Sequence, residues 1–519
     1  MSNELCSDER IHHGPTCLRR AAAMASSGCC RTKNSGNHLQ IDDSFFADVV
    51  QAGGWDCSSV CCHDEHLTRF ERLLAQADSI KPKIVRSALA ESARAARARS
   101  DPVTSQQRTI AEVSAGVSAV MLLAYVVWIL ARAQASGVKR LYFLARDGQI
   151  LLKMARKIIR HSGLDLDARY LFVSRQSLHL PGIQDLSEDD IKSLGFHTDQ
   201  TVGEILSRLG LSGDPSALKL LADAGFKSPL AKLTAQQISD LASTLRSGHL
   251  EHVIRNATRQ RAVLVDYLRQ EGFFTEEKIG IVDLGWKGGL QRSLYAAVQS
   301  HDPTFVNRVH GFYFRLLSRP AGVGTLESYV NEGRAASLAP FIRASLFEAI
   351  CAAQHGTTIS HEREANGTAR PVRAPYAEND PASVWGVGLQ HDIIKAFTDE
   401  VLANLGIAGQ NILELGSDLT EASFLVLRAF ISHPTRKEAE AMGSFPHAPS
   451  QFHREFSEIA PRLRLDQLPL ALTSKNNTVV SEWIEGSIAR SFPGPIASLL
   501  LAVLAPIRRS PLYPSNKRL

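Results

Sequence analysis

Three short stretches place charged and hydroxyl side chains directly behind apolar runs. "YFLARDGQIL" delivers Arg146 and Asp147, with Gly148 behind them, and "YLFVSRQSLHLPG" delivers Ser174, Arg175, Gln176 and Ser177. "IGIVDLGWKGGLQRSL" ends its apolar run in Asp283, followed by Gly285, Lys287, Gly288, Gly289 and Arg292. Carboxylates so placed can move a proton or hold a magnesium ion. Several glycines ahead of a helix expose backbone N–H groups at the positive end of its dipole, which favours an anion, commonly phosphate. Lys287 adds a point charge there, while Arg146 and Arg175 offer forked contacts. The chemistry predicted is a pocket for a phosphorylated, sugar-like or nucleotide-like ligand. Asp147 and Asp283 take the catalytic and metal-holding roles. Arg146, Ser174, Arg175, Gly285, Lys287, Gly288, Gly289 and Arg292 bind the ligand.

Each element also has a plainer structural reading. An aspartate at a strand end can cap the next helix, and glycines can be turn residues only. Arg146 with Asp147, or Arg175 with Asp283, can be internal ion pairs. His179 in "SLHLPG" could act as a base, although a lone histidine more often takes a structural hydrogen bond. His355 and His361 in "HGTTISHE" lie near a hairpin without a third metal ligand. "GWKGGL" lacks P-loop spacing, and no G-x-S-x-G turn or H-E-x-x-H pair occurs.

For the three stretches to converge, they must lie at the carboxyl ends of neighbouring parallel strands. The sequence supplies that pattern. A helix over 109–135 is followed by the strand "KRLYFLA", the helix "GQILLKMARKIIRHS" and the strand "ARYLFVS". A helical insert over 187–272 precedes the strand "KIGIVDL", the helix "GGLQRSLYAAVQS" and the strand "RVHGFYFRL". Apolar strands separated by helices predict an α/β domain over 109–320, with a mostly parallel sheet covered by helices on both faces. A mainly helical C-terminal domain follows over 321–519. There "SRPAGVGTLESYVNEG" reads as loop and "TISHEREANGTARPVRAP" as a hairpin around Asn366 and Gly367. Residues 66–108 read as a helical linker. Residues 1–65 show no sustained period and read as disordered.

Composition narrows the partners. With 519 residues, 44% hydrophobic and 21% charged, the chain is expected to form several globular domains. A net charge of +5 without dense basic runs does not imply nucleic acid. Seven of the eight cysteines precede residue 63 and only Cys351 follows, so the body uses no disulfide framework and a cytoplasmic location is expected. "CSSVCCHDEH" lacks the paired ligand spacing of a zinc module. No signal peptide opens the chain. Val113–Ala131 is long and apolar enough for a membrane span, but it leads into a strand and reads as a buried core helix.

At these residues the chain resembles a bacterial family of predicted hydrolases in the haloacid-dehalogenase superfamily, found among polysaccharide and cell-surface carbohydrate biosynthesis proteins. The matching text is "GVKRLYFLARDGQILLKM", "YLFVSRQSLHLPGI" and "VDLGWKGGLQRSL". "LFEAICAAQHGT", "HPTRKEAEAMG" and "SEWIEGSIARS" match more loosely, and the set covers residues 110–510. The family's N-terminal domain carries its nucleophile in an apolar strand ending in D-x-D. Here "LQIDDSFF" has Asp42 and Asp43 adjacent and no such strand, so the resemblance is to the family's C-terminal part. A strand, an acidic residue and a glycine-rich turn are also similar, at fold level, to type I phosphoribosyltransferases. The resemblance implies binding of, and hydrolase- or transferase-like action on, a phosphorylated sugar or nucleotide-sugar in surface-polysaccharide assembly. A non-catalytic scaffold or partner of a glycosyltransferase is the alternative.

Overall fold

A computed structural model describes residues 67–509 except 186–200, 224, 227, 232, 276, 332, 448–455 and 474–480. The cysteine-rich start, Asp42, Asp43 and all of "SEDDIKSLGF" lie outside the described residues. In chain order come α1 (Arg69–Ala75), α2 (Lys83–Ala98), α3 (Ser105–Val113) and α4 (Ala119–Ala135), then β1 (Arg140–Leu144), α5 (Gly148–Ser162), β2 (Asp167–Leu171) and α6 (Arg175–Gly182). The insert holds α7 (Val202–Arg208), α8 (Pro215–Asp223), α9 (Ala235–Gly248) and α10 (Leu250–Gln270). Next are β3 (Ile279–Trp286), α11 (Gly289–Val298), β4 (Val309–Leu316), β5 (Thr325–Ser328), α12 (Ala344–Ile350), β6 (Thr358–Arg363) and β7 (Ala369–Arg373). Among the later helices are α13 (Val387–Ile407), α14 (Gly416–Ser432), α15 (Arg436–Gly443), α16 (Ile484–Ser491) and α17 (Gly494–Arg509).

The chain divides into two compact units, one running to Ala124 and including Leu389–Phe430, the other comprising Tyr125–Gly388 and Ile431–Leu519. In the first, Thr68 and Thr104 start α1 and α3 with reciprocal capping boxes to Glu71 and Gln107. Buried Glu71 is also paired with Arg97 of α2 at 3.0 Å. Gly116 lets Phe70 approach, since a Cβ there would stand 2.6 Å from the Phe70 Cβ. Ser105–Ala135 is the one described helix long and apolar enough to cross a membrane, and 94% of its most apolar window is buried inside the protein. That burial is what a core helix requires.

The second unit is built on a five-stranded, all-parallel sheet of order β2-β1-β3-β4-β5. Tyr142, Leu144, Ile279 and Ile281 pack on one face with Leu178 of α6, Leu264 and Leu268 of α10 and Leu294 of α11. Phe143, Val282 and Phe312 are in register across three strands and share the opposite face. There α5 comes so close that a Cβ on Gly148 would lie 2.8 Å from the Phe143 carbonyl carbon, and Tyr125 of α4 packs edge-on against Phe314. The sheet is therefore covered on both faces, as its continuous apolar strands require. The insert has a core of its own around Ile205, Leu221, Leu241 and Leu245, and α10 contributes to both cores.

The hairpin falls at Asn366 and Gly367, where Gly367 has φ 87° and its amide bonds to the Glu364 carbonyl at 2.9 Å. β5 departs from the loop expected there. It is a four-residue edge strand behind a glycine-rich turn, too short to show a period.

Candidate functional site

The strand order reverses between β1 and β3, so the loops leaving these two neighbours diverge and open a crevice at their carboxyl ends. Asp147 stands at the end of the turn after β1, and Asp283 sits inside β3, three residues before its end. Both are inside the second unit. Asp147 occupies the N-cap position of α5, yet its carboxylate makes no capping hydrogen bond, so capping does not account for it. Asp283 is only 5% exposed. The adjacent Leu284 and Gly285 amides favour its charged form, while Oδ2 is buried without a partner.

A third carboxylate joins them. Glu348, on α12, accepts the Trp286 indole N–H at 3.1 Å and acts electrostatically on both aspartates. Burial, then the charge of Glu348, pushes the Asp147 carboxyl up to about 8 against the opposing pull of Arg146. Burial likewise lifts Asp283 to about 7, against the pull of Arg175 and the two amides. Two carboxyls that titrate near neutrality at a strand-end crevice can give or take a proton at working pH. Cys351 is buried beside them, and its thiol is pushed up by burial and by Asp147, which keeps it protonated. The Tyr125 hydroxyl sits between the Asp283 and Phe312 carbonyl oxygens, at 2.9 and 3.0 Å, and ties β3 to β4 at mid-strand.

Comparison with protein-family models finds no match, and comparison with curated proteins finds none either.

The cations are placed around this centre without closing on it. Arg146 and Arg175 are exposed, both act on Asp147, and neither forms a salt bridge with Asp147 or Asp283. The internal ion-pair reading is thus not what the structure adopts. Arg146 has φ 75°, a left-handed conformation that costs a non-glycine residue of order 1 kcal/mol. Its amide donates to the Tyr170 hydroxyl at 2.8 Å, and that hydroxyl is 2.7 Å from His355 Nε2. His355 Nδ1 in turn lies 2.9 Å from the Gly356 carbonyl, so Nδ1 carries the proton and Nε2 accepts from Tyr170. His355 also lines a cavity of about 400 Å³ together with Glu362, Arg370, Arg373 and Tyr376.

The third stretch brings its glycines into necessary conformations. Gly285 has φ 129°, and a Cβ there would fall 2.0 Å from the Arg315 carbonyl oxygen. Gly288, with φ 63°, is the N-cap of α11 and supplies no side chain to its first amides. Gly289 has open space around it, and Lys287 and Arg292 are exposed. Ser174 is engaged locally: its hydroxyl donates to the Thr358 carbonyl at 2.6 Å and accepts the Ser177 amide, capping α6. His361 stacks on Tyr267 and its Nε2 lies 2.9 Å from the Phe172 carbonyl oxygen, whereas burial drives His179 down to about 3 and leaves its Nδ1 without a partner. Glu348, Tyr170 and His355 were not singled out as a set by sequence reasoning, because they come from three separate elements. The sole sequence signal was a glutamate inside the otherwise apolar "LFEAICAA".

Proposed function

We propose that this chain binds, and acts on, a phosphorylated sugar or nucleotide-sugar in surface-polysaccharide biosynthesis, as a hydrolase or transferase. The observation that carries the reading is the buried, unpartnered Oδ2 of Asp283 beside a second proton-holding carboxyl, at the reversal of a parallel sheet. An unsatisfied buried oxygen in such a place favours an incoming donor or cation. Arg146, Arg175 and Lys287, with the uncapped amides of α11, take the phosphate charge, and the Asp147–Asp283 pair moves the proton. A magnesium ion held by Asp147 and Asp283 fits the orphaned oxygen and would neutralise phosphate charge. The cytoplasm is the proposed location, and kinship with the haloacid-dehalogenase-type hydrolases rests on the quoted motifs.

A second reading, a non-catalytic partner of a glycosyltransferase, is favoured by one observation: Ile496, Leu499 and Val503 form an exposed apolar stripe at i, i+3 and i+7 on α17. A thermal-shift panel of sugar phosphates, nucleotide-sugars and phosphoribosyl pyrophosphate, with and without magnesium, separates the two. At a hundred times its dissociation constant a ligand adds about 2.7 kcal/mol of stability. The pocket reading predicts a shift that Asp283→Asn and Lys287→Ala both reduce. A folded protein that responds to no member of the panel overturns it and favours the partner reading.

A further inference from the structure

We propose that Asp214, His249 and His252 form a separate site for a divalent transition-metal ion of the zinc type, within the helical insert. One ligand atom from each residue lies within 4.8 Å of the other two. The donors come from two places in the chain: Asp214 precedes α8, His249 sits at the junction of α9 and α10, and His252 lies in the first turn of α10. Two imidazoles and one carboxylate form a nitrogen and oxygen set suited to zinc, with a fourth position left for water.

The carboxylate is already oriented. Its Oδ1 accepts the Ser216 amide at 2.9 Å and the Ser216 hydroxyl at 2.6 Å, which leaves Oδ2 directed at the imidazoles. Such outer hydrogen bonds are how a ligating carboxylate is held in place. Oδ2 stands 3.5 Å from His252 Nδ1. That is too long for a good N–H to carboxylate hydrogen bond. It is close to the edge of a tetrahedron with zinc bonds of 2.0–2.1 Å, about 3.3 Å.

His249 supplies an independent observation. It is 8% exposed, its ring contacts the His252 ring at 5.4 Å between centroids, and neither ring nitrogen has a hydrogen-bond partner among the described residues. An imidazole that no protein group engages has both ring nitrogens available as metal donors. His252 is about half exposed, which gives an ion its way in. The bound ion would tie the start of α8 to the α9–α10 junction and brace the insert's own core, away from the carboxylate crevice. The inference is independent of the proposed function.

The test is a cobalt(II) titration of the full-length reduced protein, followed by zinc displacement, beside Asp214→Asn and His252→Ala. Asparagine still caps α8, and His252 is exposed enough that its loss leaves the fold intact. Cobalt held instead by the cysteines before residue 63 would be recognised by a sulfur-to-metal charge-transfer band, which this donor set lacks. The proposal predicts one ion per chain with four-coordinate d–d absorption and no such band, displaced by zinc and weakened at least tenfold in both variants. Equal binding with an unchanged spectrum in wild type and both variants overturns it. So does cobalt binding accompanied throughout by thiolate absorption.

Discussion

Asp283 leaves Oδ2 of its carboxylate buried without a partner, while Glu348 adds negative charge from a different element. Burial and like charge both favour the protonated acid, and Arg175 and Arg146 only partly oppose them. Glu348→Gln removes the like charge while retaining an oxygen for the Trp286 indole. An infrared titration of the carboxyl stretch should then show Asp147 and Asp283 losing their protons at lower pH, by on the order of one unit. Unchanged titration would remove Glu348 from the account. The aspartates and arginines were legible in the sequence because each ends an apolar run. Glu348 and Tyr170 were not, and His355 was legible only as a weak candidate near a hairpin, because a contact between α12, β2 and the segment after α12 leaves no local spacing to read.

The elements carry the site through close approach rather than through side-chain chemistry alone. Gly285 and Gly289 look alike in "DLGWKGGL", yet the structure separates them. At Gly285 a Cβ would meet the Arg315 carbonyl oxygen at 2.0 Å under a positive φ, whereas Gly289 has nothing within 4 Å. Gly285→Ala should cost several kcal/mol or abolish folding, and Gly289→Ala should change stability by less than about 0.5 kcal/mol. Denaturant melts of both variants check this contrast. β1 to β4 were legible as apolar runs bounded by turn residues, and so was the hairpin, from Asn366-Gly367. β5 was not, since four residues at a sheet edge have no room for a pattern. Ser174 shows the opposite limit: its type and place suggested ligand contact, but a capping box and the Thr358 carbonyl engage its hydroxyl.

For the molecule as a whole, the second unit's parallel sheet buries acidic groups it does not pair, and the stability of the fold carries that cost. A carboxyl whose folded pKa is raised binds more protons native than unfolded, so stability is highest below the unfolded value and falls as pH rises through the folded one. For Asp283 that window runs from the ordinary 3.8 to about 7, at about 1.4 kcal/mol per unit. The first measurement to make is therefore thermal unfolding of wild type and Asp283→Asn across about pH 4 to 9. The account predicts parity near pH 4 and an advantage for Asp283→Asn that grows to a few kcal/mol by about pH 8. A gap that does not change with pH would show that the Asp283 pKa is not shifted, and wild type gaining on the variant as pH rises would show Asp283 ionised and paired; either contradicts a proton-holding crevice.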